Sequence, residues 1–375
     1  VRLGISKDFR NVKWYGRGPE EAYCDRKTGQ RIAEFSKKAD ELCHHYMRPQ
    51  ENGNRTDVRS LEMTDDSGYG FRISSRYPFD FSVHQYSQEK LEKAMHEDIK
   101  SHNEEIKLNW IEILAYLGSK YGGDFKKYKS SDMDGVVKRL KSGEKMSEIT
   151  KNMKTYGYYF EAYEAVLKGF LGDYKVQKKP KNSEETVWEE AYGLKCFSPI
   201  AKTFPFSHYD DFGASRSYGY ARPHLGHDMM CAIGTPVIAV ESGRVEIMGW
   251  NQYGGWRIGI RSFDNKRYYY YAHLRQNRPF KSDLKEGDTV KAGDVIGYVG
   301  RTGYSKKENV NNIEQSHLHI GLELVFDESQ KESDHEIWVD LYAIMQLLEK
   351  NKSSVVRNSE TKEYSREFDW EEKQQ

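Results

Sequence analysis

Arg222-Pro223-His224-Leu225-Gly226-His227-Asp228 and Ser316-His317-Leu318-His319 are the stretches on which the reading of this chain turns, with Tyr271-Ala272-His273-Leu274 between them. The chain has only 12 histidines, yet four of them fall here at spacings that let them converge with one carboxylate. His317 and His319 are two apart in strand-like sequence, so both imidazoles point to the same face. His224 and Asp228 are four apart, which puts both on one face of a helix and, being an even separation, on one face of a strand as well. Gly226 between them favours a loop or a strand. His273 ends the aromatic run Tyr268 to Tyr271, where a side chain can project into a cleft. His227 would point away from its neighbours on a strand and reads as a bystander.

Imidazoles with a carboxylate are zinc-type donors, and a catalytic zinc takes about three protein ligands and keeps a place for water. His224, Asp228, His273, His317 and His319 exceed that number. The surplus predicts that three hold the metal while two imidazoles serve proton transfer and oxyanion stabilisation. Either pair alone would read as structural. Together, inside one β-rich stretch, they read as a site. His44, His45, His84, His96, His102, His208 and His335 read as surface or core residues.

Outward from these motifs, residues 196–326 predict short strands and turns. Val237–Val240, Arg244–Met248, Arg257–Arg261, Arg267–Ala272 and His317–Leu324 are the strand candidates. Ile337–Leu348 predicts a closing helix. The tail 351–375 is charged and poor in apolar residues, which predicts disorder. Residues 177–195 predict a polar linker around Lys178-Lys179-Pro180-Lys181. Between about 104 and 176 the apolar residues recur with helical period: Leu108, Ile111, Leu114 and Leu117, then Val136, Val137 and Leu140, then Phe160, Tyr163, Val166 and Leu167. That predicts a small helical domain. Ser87–Lys100 predicts a helix carrying Leu91, Met95 and Ile99. Residues 1–99 otherwise predict β-rich structure, with Val58–Met63 and Gly70–Ser74 as strands.

At 375 residues the chain is long enough for two or three domains. Its 58 basic and 58 acidic residues balance, so bulk charge gives no reason to expect nucleic acid as a partner. Cys24, Cys43, Cys196 and Cys231 show no paired spacing, which argues against a cysteine zinc site or a disulfide scaffold. No stretch is long and apolar enough to span a bilayer, and no signal peptide is visible. The sequence begins at Val1 rather than at methionine, and its N-terminus is expected to be incomplete.

Residues 200–350 resemble the lysostaphin-type (LytM-like) zinc metallopeptidases that cut the peptide cross-bridges of bacterial cell walls. Beyond the three histidine motifs, the resemblance is carried by Gly-Thr-Pro-Val-Ile-Ala-Val at 234–240 and Gly-Arg-Val-Glu at 243–246. Gly-Trp-Asn-Gln-Tyr-Gly-Gly at 249–255 and Glu-Gly-Asp-Thr-Val-Lys-Ala-Gly-Asp-Val-Ile-Gly at 286–297 complete it. The resemblance implies that His224, Asp228 and His319 bind one Zn2+, that His317 is the general base, and that His273 stabilises the oxyanion. It implies a peptidoglycan peptide as substrate and an extracellular or cell-envelope location. Tyr253, Gly254 and Gly255 would line the substrate groove, or form a plain hairpin turn. The segment Lys306–Gln315 is longer than in the shortest members, which leaves substrate preference open. The 286–297 text is shared with biotinyl and lipoyl carriers, but no lysine is displayed at a tight turn there, so shared barrel-sandwich topology is the reading taken.

Residues 1–99 resemble the start of the C-terminal small-chain domain of LacZ-type β-galactosidases. Val12-Lys13-Trp14-Tyr15-Gly16-Arg17-Gly18-Pro19, Asp25-Arg26-Lys27, Arg48 to Arg55, Asp57-Val58-Arg59 and Pro78 to Ser82 carry this resemblance. It implies a β-sandwich of which only the first part is present, and it ends abruptly near Lys100. Glycoside hydrolysis needs two positioned carboxylates. Glu20, Glu21 and Glu51 sit in turn-rich sequence without that context, so the chain alone is expected to lack galactosidase activity. The alternative function is a galactosidase-derived carbohydrate-binding or glycosidase fragment. The junction predicts a fusion of two unrelated reading frames or an assembly artefact, which amplification of genomic DNA across codons 90–110 would test. The fold class expected is therefore α+β and multidomain. It comprises a truncated β-sandwich segment (1–99), a helical domain (104–176), a linker (177–195), a β-rich peptidase domain of barrel-sandwich hybrid type with a C-terminal helix (196–350), and a disordered tail (351–375).

Overall fold

The computed structural model describes residues 2–4, 13–15, 61–64, 70–73 and 87–373, apart from 126–127, 182, 184 and 327–335. Chain contacts divide it into two compact units, Val1–Asp80 with Val325–Trp338, and Phe81–Leu324 with Val339–Gln375. In the first unit β1 (Arg2–Gly4) pairs antiparallel with β2 (Lys13–Tyr15), and β3 (Leu61–Thr64) with β4 (Gly70–Ile73). Arg48–Arg55, Glu20, Glu21 and Glu51 lie outside the described residues.

The second unit begins with helices α1 (Gln88–Ser101), α2 (Trp110–Tyr121), α3 (Ser130–Lys141), α4 (Met146–Thr150) and α5 (Tyr156–Leu167). The helix at 88–101 thus falls in this unit and not with the N-terminal segment. Leu91 and Met95 are buried on α1, as are Met133, Val136, Val137 and Leu140 on α3. Asn109 caps α2 by accepting from the Ile111 N–H, and Gly122 ends it at φ 60°. Gly118 lets α2 and α5 approach: a Cβ there would lie 2.8 Å from Tyr159 Cδ1.

Residues 177–195 are not a linker. β5 (Leu171–Lys178) and β6 (Val187–Leu194) form an antiparallel pair in register from Leu171 opposite Leu194 to Lys178 opposite Val187. The composition misleads because part of this sheet faces water and carries cross-strand ion pairs, Lys175–Glu190 and Lys178–Glu189. Its partly exposed aromatics Tyr174, Trp188 and Tyr192 do not alternate cleanly.

Next along the chain come β7 (Phe206–Tyr209), β8 (Ser215–Arg216), β9 (Arg222–Pro223), β10 (His227–Cys231), β11 (Pro236–Ile238), β12 (Gly243–Asn251) and β13 (Gly255–Ser262). β14 (Arg267–Ala272), β15 (Thr289–Val290), β16 (Val295–Tyr298) and β17 (His317–Leu324) follow. The main sheet runs β15-β12-β13-β14-β17-β10-β7, and β11 pairs with β16 beside it. On β17 the residues Leu318, Ile320, Leu322 and Leu324 are fully buried, while His317, His319, Gly321 and Glu323 occupy the other face. The partner strands obey the same alternation. Tyr271 stands opposite Ile320, and Tyr269 opposite Leu322. This period-two division puts the chemistry on one face and the core on the other.

A short strand β18 (Ile337–Trp338) precedes helix α6 (Tyr342–Leu348). The helix starts later than the apolar run suggested, because Ile337–Trp338 form a strand, and Asp340 Oδ1 accepts from the Tyr342 N–H at 3.0 Å.

The tail is ordered rather than disordered. β19 (Val355–Arg357) pairs with β20 (Tyr364–Arg366), and β21 (Trp370–Glu372) pairs with β5. Trp370 is 2% exposed and packs on Tyr174 and Phe197 with ring centroids 5.9 and 5.8 Å apart. Arg366 bonds Asp294. One buried indole and one ion pair anchor a segment whose mean composition is that of a solvated chain.

A buried ion pair joins the helices to the sheet. Arg267 donates to both oxygens of Glu241, at 2.8 and 2.9 Å, and also to the Ala165 carbonyl on α5 at 3.1 Å. Tyr269 donates to Glu241 at 2.8 Å. Arg267→Met leaves the Glu241 carboxylate buried without its cation. It should destabilise the protein by about 3–5 kcal/mol, read from urea unfolding. An unchanged unfolding midpoint would show that the pair contributes nothing net.

Candidate metal centre

Three segments deliver the donors. Asp228 on β10 lies directly across from His319 on β17, and Met230 lies across from His317. Asp228, His317 and His319 therefore share one face of the sheet. His224 arrives from the loop after β9, where its N–H donates to the Ala214 carbonyl at 2.8 Å and its carbonyl accepts from the Gly213 N–H at 2.7 Å. His273 follows β14 in left-handed backbone at φ 60°, uncommon for a residue other than glycine. Bonds from its N–H to the Gly254 carbonyl, and from the Gly300 N–H to its own carbonyl, hold that conformation.

His224, Asp228 and His319 come together as a metal-competent group, each offering one ligand atom within 4.8 Å of the others. His224 Nε2 is 2.8 Å from His319 Nδ1 and 3.1 Å from Asp228 Oδ1. His319 Nδ1 is 3.0 Å from the same Oδ1. Donors about 2.0–2.2 Å from a tetrahedral centre lie roughly 3.3–3.5 Å from one another, so the triangle is slightly tighter than a filled site. His224 and Asp228 are buried and His319 nearly so. The set of two imidazoles and one carboxylate fits zinc.

His317 and His273 stand beside this triangle. His317 Nε2 is 3.7 Å from Asp228 Oδ1, and its ring is 4.8 Å from that of His273 between centroids. His317 Nδ1 bonds the Gln315 carbonyl at 2.8 Å, and His273 Nδ1 bonds the Thr302 carbonyl at 2.9 Å. A carbonyl only accepts, so both rings carry their proton on Nδ1 and turn Nε2 to the site.

Burial and the neighbouring His317 and His319 hold His273 well below the ordinary imidazole range. Burial also lowers His319. Burial works against a charge on His224 too, but Asp211 and Asp228 outweigh it and lift that ring to about 9. Asp228 is buried, yet its bonds to His224 and His319 keep it far below the usual carboxylate range.

His227 lies on the opposite side of β10. Its Nε2 is 2.7 Å from His208 Nδ1, and its ring packs against Tyr342. Burial together with His208 pushes it down to about 4.

Gly254 and Gly255 serve close packing. A Cβ on Gly254 would lie 2.0 Å from the Tyr270 hydroxyl, and one on Gly255 would meet the Thr302 carbonyl carbon at 2.4 Å. Asn251 Oδ1 accepts from the N–H groups of Tyr253 and Gly254 and shapes this turn. Tyr253 packs edge-on against Tyr218 and Tyr220, under the Arg222 guanidinium.

Gly226 has a sharper role. A Cβ there would meet His319 Cε1 at 2.4 Å, its Nε2 at 2.6 Å and the Ile320 carbonyl at 2.8 Å. Gly226→Ala should push the ring off the triangle and weaken zinc binding about tenfold or more, measured by competition with a chromogenic chelator. Wild-type affinity in that variant would mean that the ring moves without cost to the site.

Three further residues touch the site that the sequence did not single out. Thr302 is fully buried, offers its carbonyl to His273, and donates its hydroxyl to the Leu274 carbonyl at 2.6 Å. Asp211 lies behind His224, and Arg216 pairs with both Asp211 and Asp228. Asp211 and Thr302 sit in loops and Arg216 ends the two-residue strand β8, so no periodicity relates them to the histidine motifs.

Residues 222–332 match the model of Peptidase family M23, and residues 1–114 match that of the Beta galactosidase small chain. The C-terminal part thus carries an M23 peptidase domain and the N-terminus a small-chain domain, as both resemblances implied. The small-chain match runs past residue 100, where the resemblance was expected to end. The L-Ala--D-Glu endopeptidase of Bacillus subtilis is 39% identical over 124 residues, 33% of this chain and 36% of that protein. Lysostaphin of Staphylococcus staphylolyticus is 45% identical over 83 residues, 22% of this chain and 16% of that protein. Beta-galactosidase BgaC of Bifidobacterium adolescentis is 43% identical over 101 residues, 26% of this chain and 10% of that protein. The chain therefore spans well under half the length of each of these relatives.

Proposed function

We propose that residues 196–350 act as a zinc endopeptidase on peptide bonds of bacterial peptidoglycan, with one zinc per chain held by His224 Nε2, Asp228 Oδ1 and His319 Nδ1. The observation that carries this reading is the donor triangle with two further imidazoles turned toward it. A bound zinc would polarise the scissile carbonyl and lower the pKa of a coordinated water toward about 7. His317, fixed by Gln315 with a bare Nε2, takes a proton from the attacking water and returns it to the leaving amine. His273 stabilises the oxyanion. With its Nδ1 proton committed to Thr302, Nε2 donates only from a cationic ring, which burial disfavours and the developing negative charge must offset. Tyr253 and the tyrosines around Arg222 form a wall of the substrate groove.

The segment Lys306–Gln315 tunes substrate preference. It is pinned beside the site by Asn309, which accepts from the Trp256 indole, and by Asn311, which donates to Gln276. The helices at 88–167 position the peptidase on the wall or pack as a spacer. Action on peptidoglycan places the protein outside the cell or in the envelope.

Purified protein should release peptide fragments from isolated cell walls, lose that activity in a chelator, and regain it with added zinc. Activity indifferent to chelation would refute the reading.

The small-chain match supports a second reading, a carbohydrate-binding piece in the N-terminal unit. Turnover of a chromogenic galactoside by the purified chain is expected to stay at background. Measurable turnover would favour the glycosidase alternative.

A further inference from the structure

His224 presents Nε2 to the donor triangle and turns Nδ1 toward Asp211. Nδ1 lies 3.3 Å from the Asp211 carbonyl oxygen and 3.1 Å from Asp211 Oδ1. That carboxylate is almost wholly sealed from water, with 6% of its side chain exposed. Its Oδ1 faces His224 and has no regular hydrogen bond. Its Oδ2 is taken by Arg216, whose Nη2 also reaches Asp228 Oδ2 at 3.4 Å. A carboxylate behind a ligating imidazole fixes the tautomer and the ring plane and strengthens the donor on the far side. Two carboxylates this close would repel each other, and one guanidinium bonded to both offsets that repulsion.

We propose that Asp211 and Arg216 form an orienting pair for the metal centre, in which Asp211 holds His224 in its Nδ1–H form and Arg216 locks Asp211 against Asp228. The inference rests on the metal reading given above. Asp211 is a positioning residue: it faces His224 from behind and lies outside the donor triangle. Arg216 reaches Asp228 at Oδ2, while Asp228 Oδ1 faces the imidazoles. The Arg216 Nη2 couples Asp211, in the loop before β8, to Asp228 on strand β10.

The test compares zinc affinity, by competition with a chromogenic chelator, in the wild-type chain, Asp211→Asn and Arg216→Gln. Asp211→Asn keeps the shape and an accepting oxygen but removes the charge. Its affinity should fall roughly 10–100-fold, with unfolding midpoint and circular dichroism preserved. Arg216→Gln should weaken binding several-fold. In the zinc-loaded protein, the slowly exchanging Nδ1–H proton resonance of His224 should shift or broaden in Asp211→Asn.

Zinc affinity within twofold of wild type in Asp211→Asn, with an unmoved resonance, overturns the proposal and assigns His224 orientation to the Asp211 carbonyl alone. If Asp211→Asn misfolds, the resonance in Arg216→Gln decides: an unmoved signal with wild-type affinity overturns the pair. Failure of the wild-type chain to bind zinc refutes the metal reading itself, a separate result.

Discussion

Asp228→Ala should reduce bound zinc from about one per chain to near zero and bring wall hydrolysis to background, with the fold retained. Asp228 supplies the only anionic donor of the triangle, and its Oδ1 lies within 3.1 Å of both imidazoles of the triangle. Without it, two neutral nitrogens face the ion, one of them on a loop. Nothing offsets the desolvation of a dication by two imidazoles alone. Arg216 keeps Asp211 as partner, so the variant leaves no orphaned guanidinium. Elemental analysis after purification without added metal reads the outcome, with circular dichroism as the fold control. Stoichiometric zinc in Asp228→Ala would remove this aspartate from the ligand set.

His317→Ala separates metal binding from turnover. It should keep the ion and lose about 10²–10⁴ in kcat. His317 stands beside the triangle with its Nδ1 tied to the Gln315 carbonyl, and none of the three donor contacts involves it. Loss of zinc with loss of activity would recast it as a ligand. Full activity would pass the proton transfer to His273, whose Nε2 is also bare.

Parts of this molecule could be read directly from its residues, because a strand with one buried face writes its geometry into every second position. His317 and His319 share a face because Leu318, Ile320, Leu322 and Leu324 must share the other. The same rule set His227 apart from Asp228. The helices showed through their apolar spacing. What stayed hidden depends on contacts between distant segments. Asp211 and Thr302 reach the site from loops and Arg216 from the short strand β8, and no local pattern distinguishes a carboxylate behind an imidazole from one in water.

The errors have related causes. The hairpin at 171–194 has solvated cross-strand ion pairs, so its composition is that of a linker. The C-terminal segment is held by the buried Trp370, by Arg366 and by strand pairing with β5, contacts that its average composition does not show. The helix near the end begins only at Tyr342 because Ile337–Trp338 form a strand within an apolar run that looks continuous. The glycines at 254 and 255 also make room for Tyr270 and Thr302, a packing contact that spacing alone does not show.

Diffraction from crystals of the wild-type chain, recorded on both sides of the zinc absorption edge, tests the central claim most directly. One anomalous peak is expected at about 2.0–2.2 Å from His224 Nε2, Asp228 Oδ1 and His319 Nδ1. A peak held by other residues, or none there in crystals grown with zinc, would contradict it.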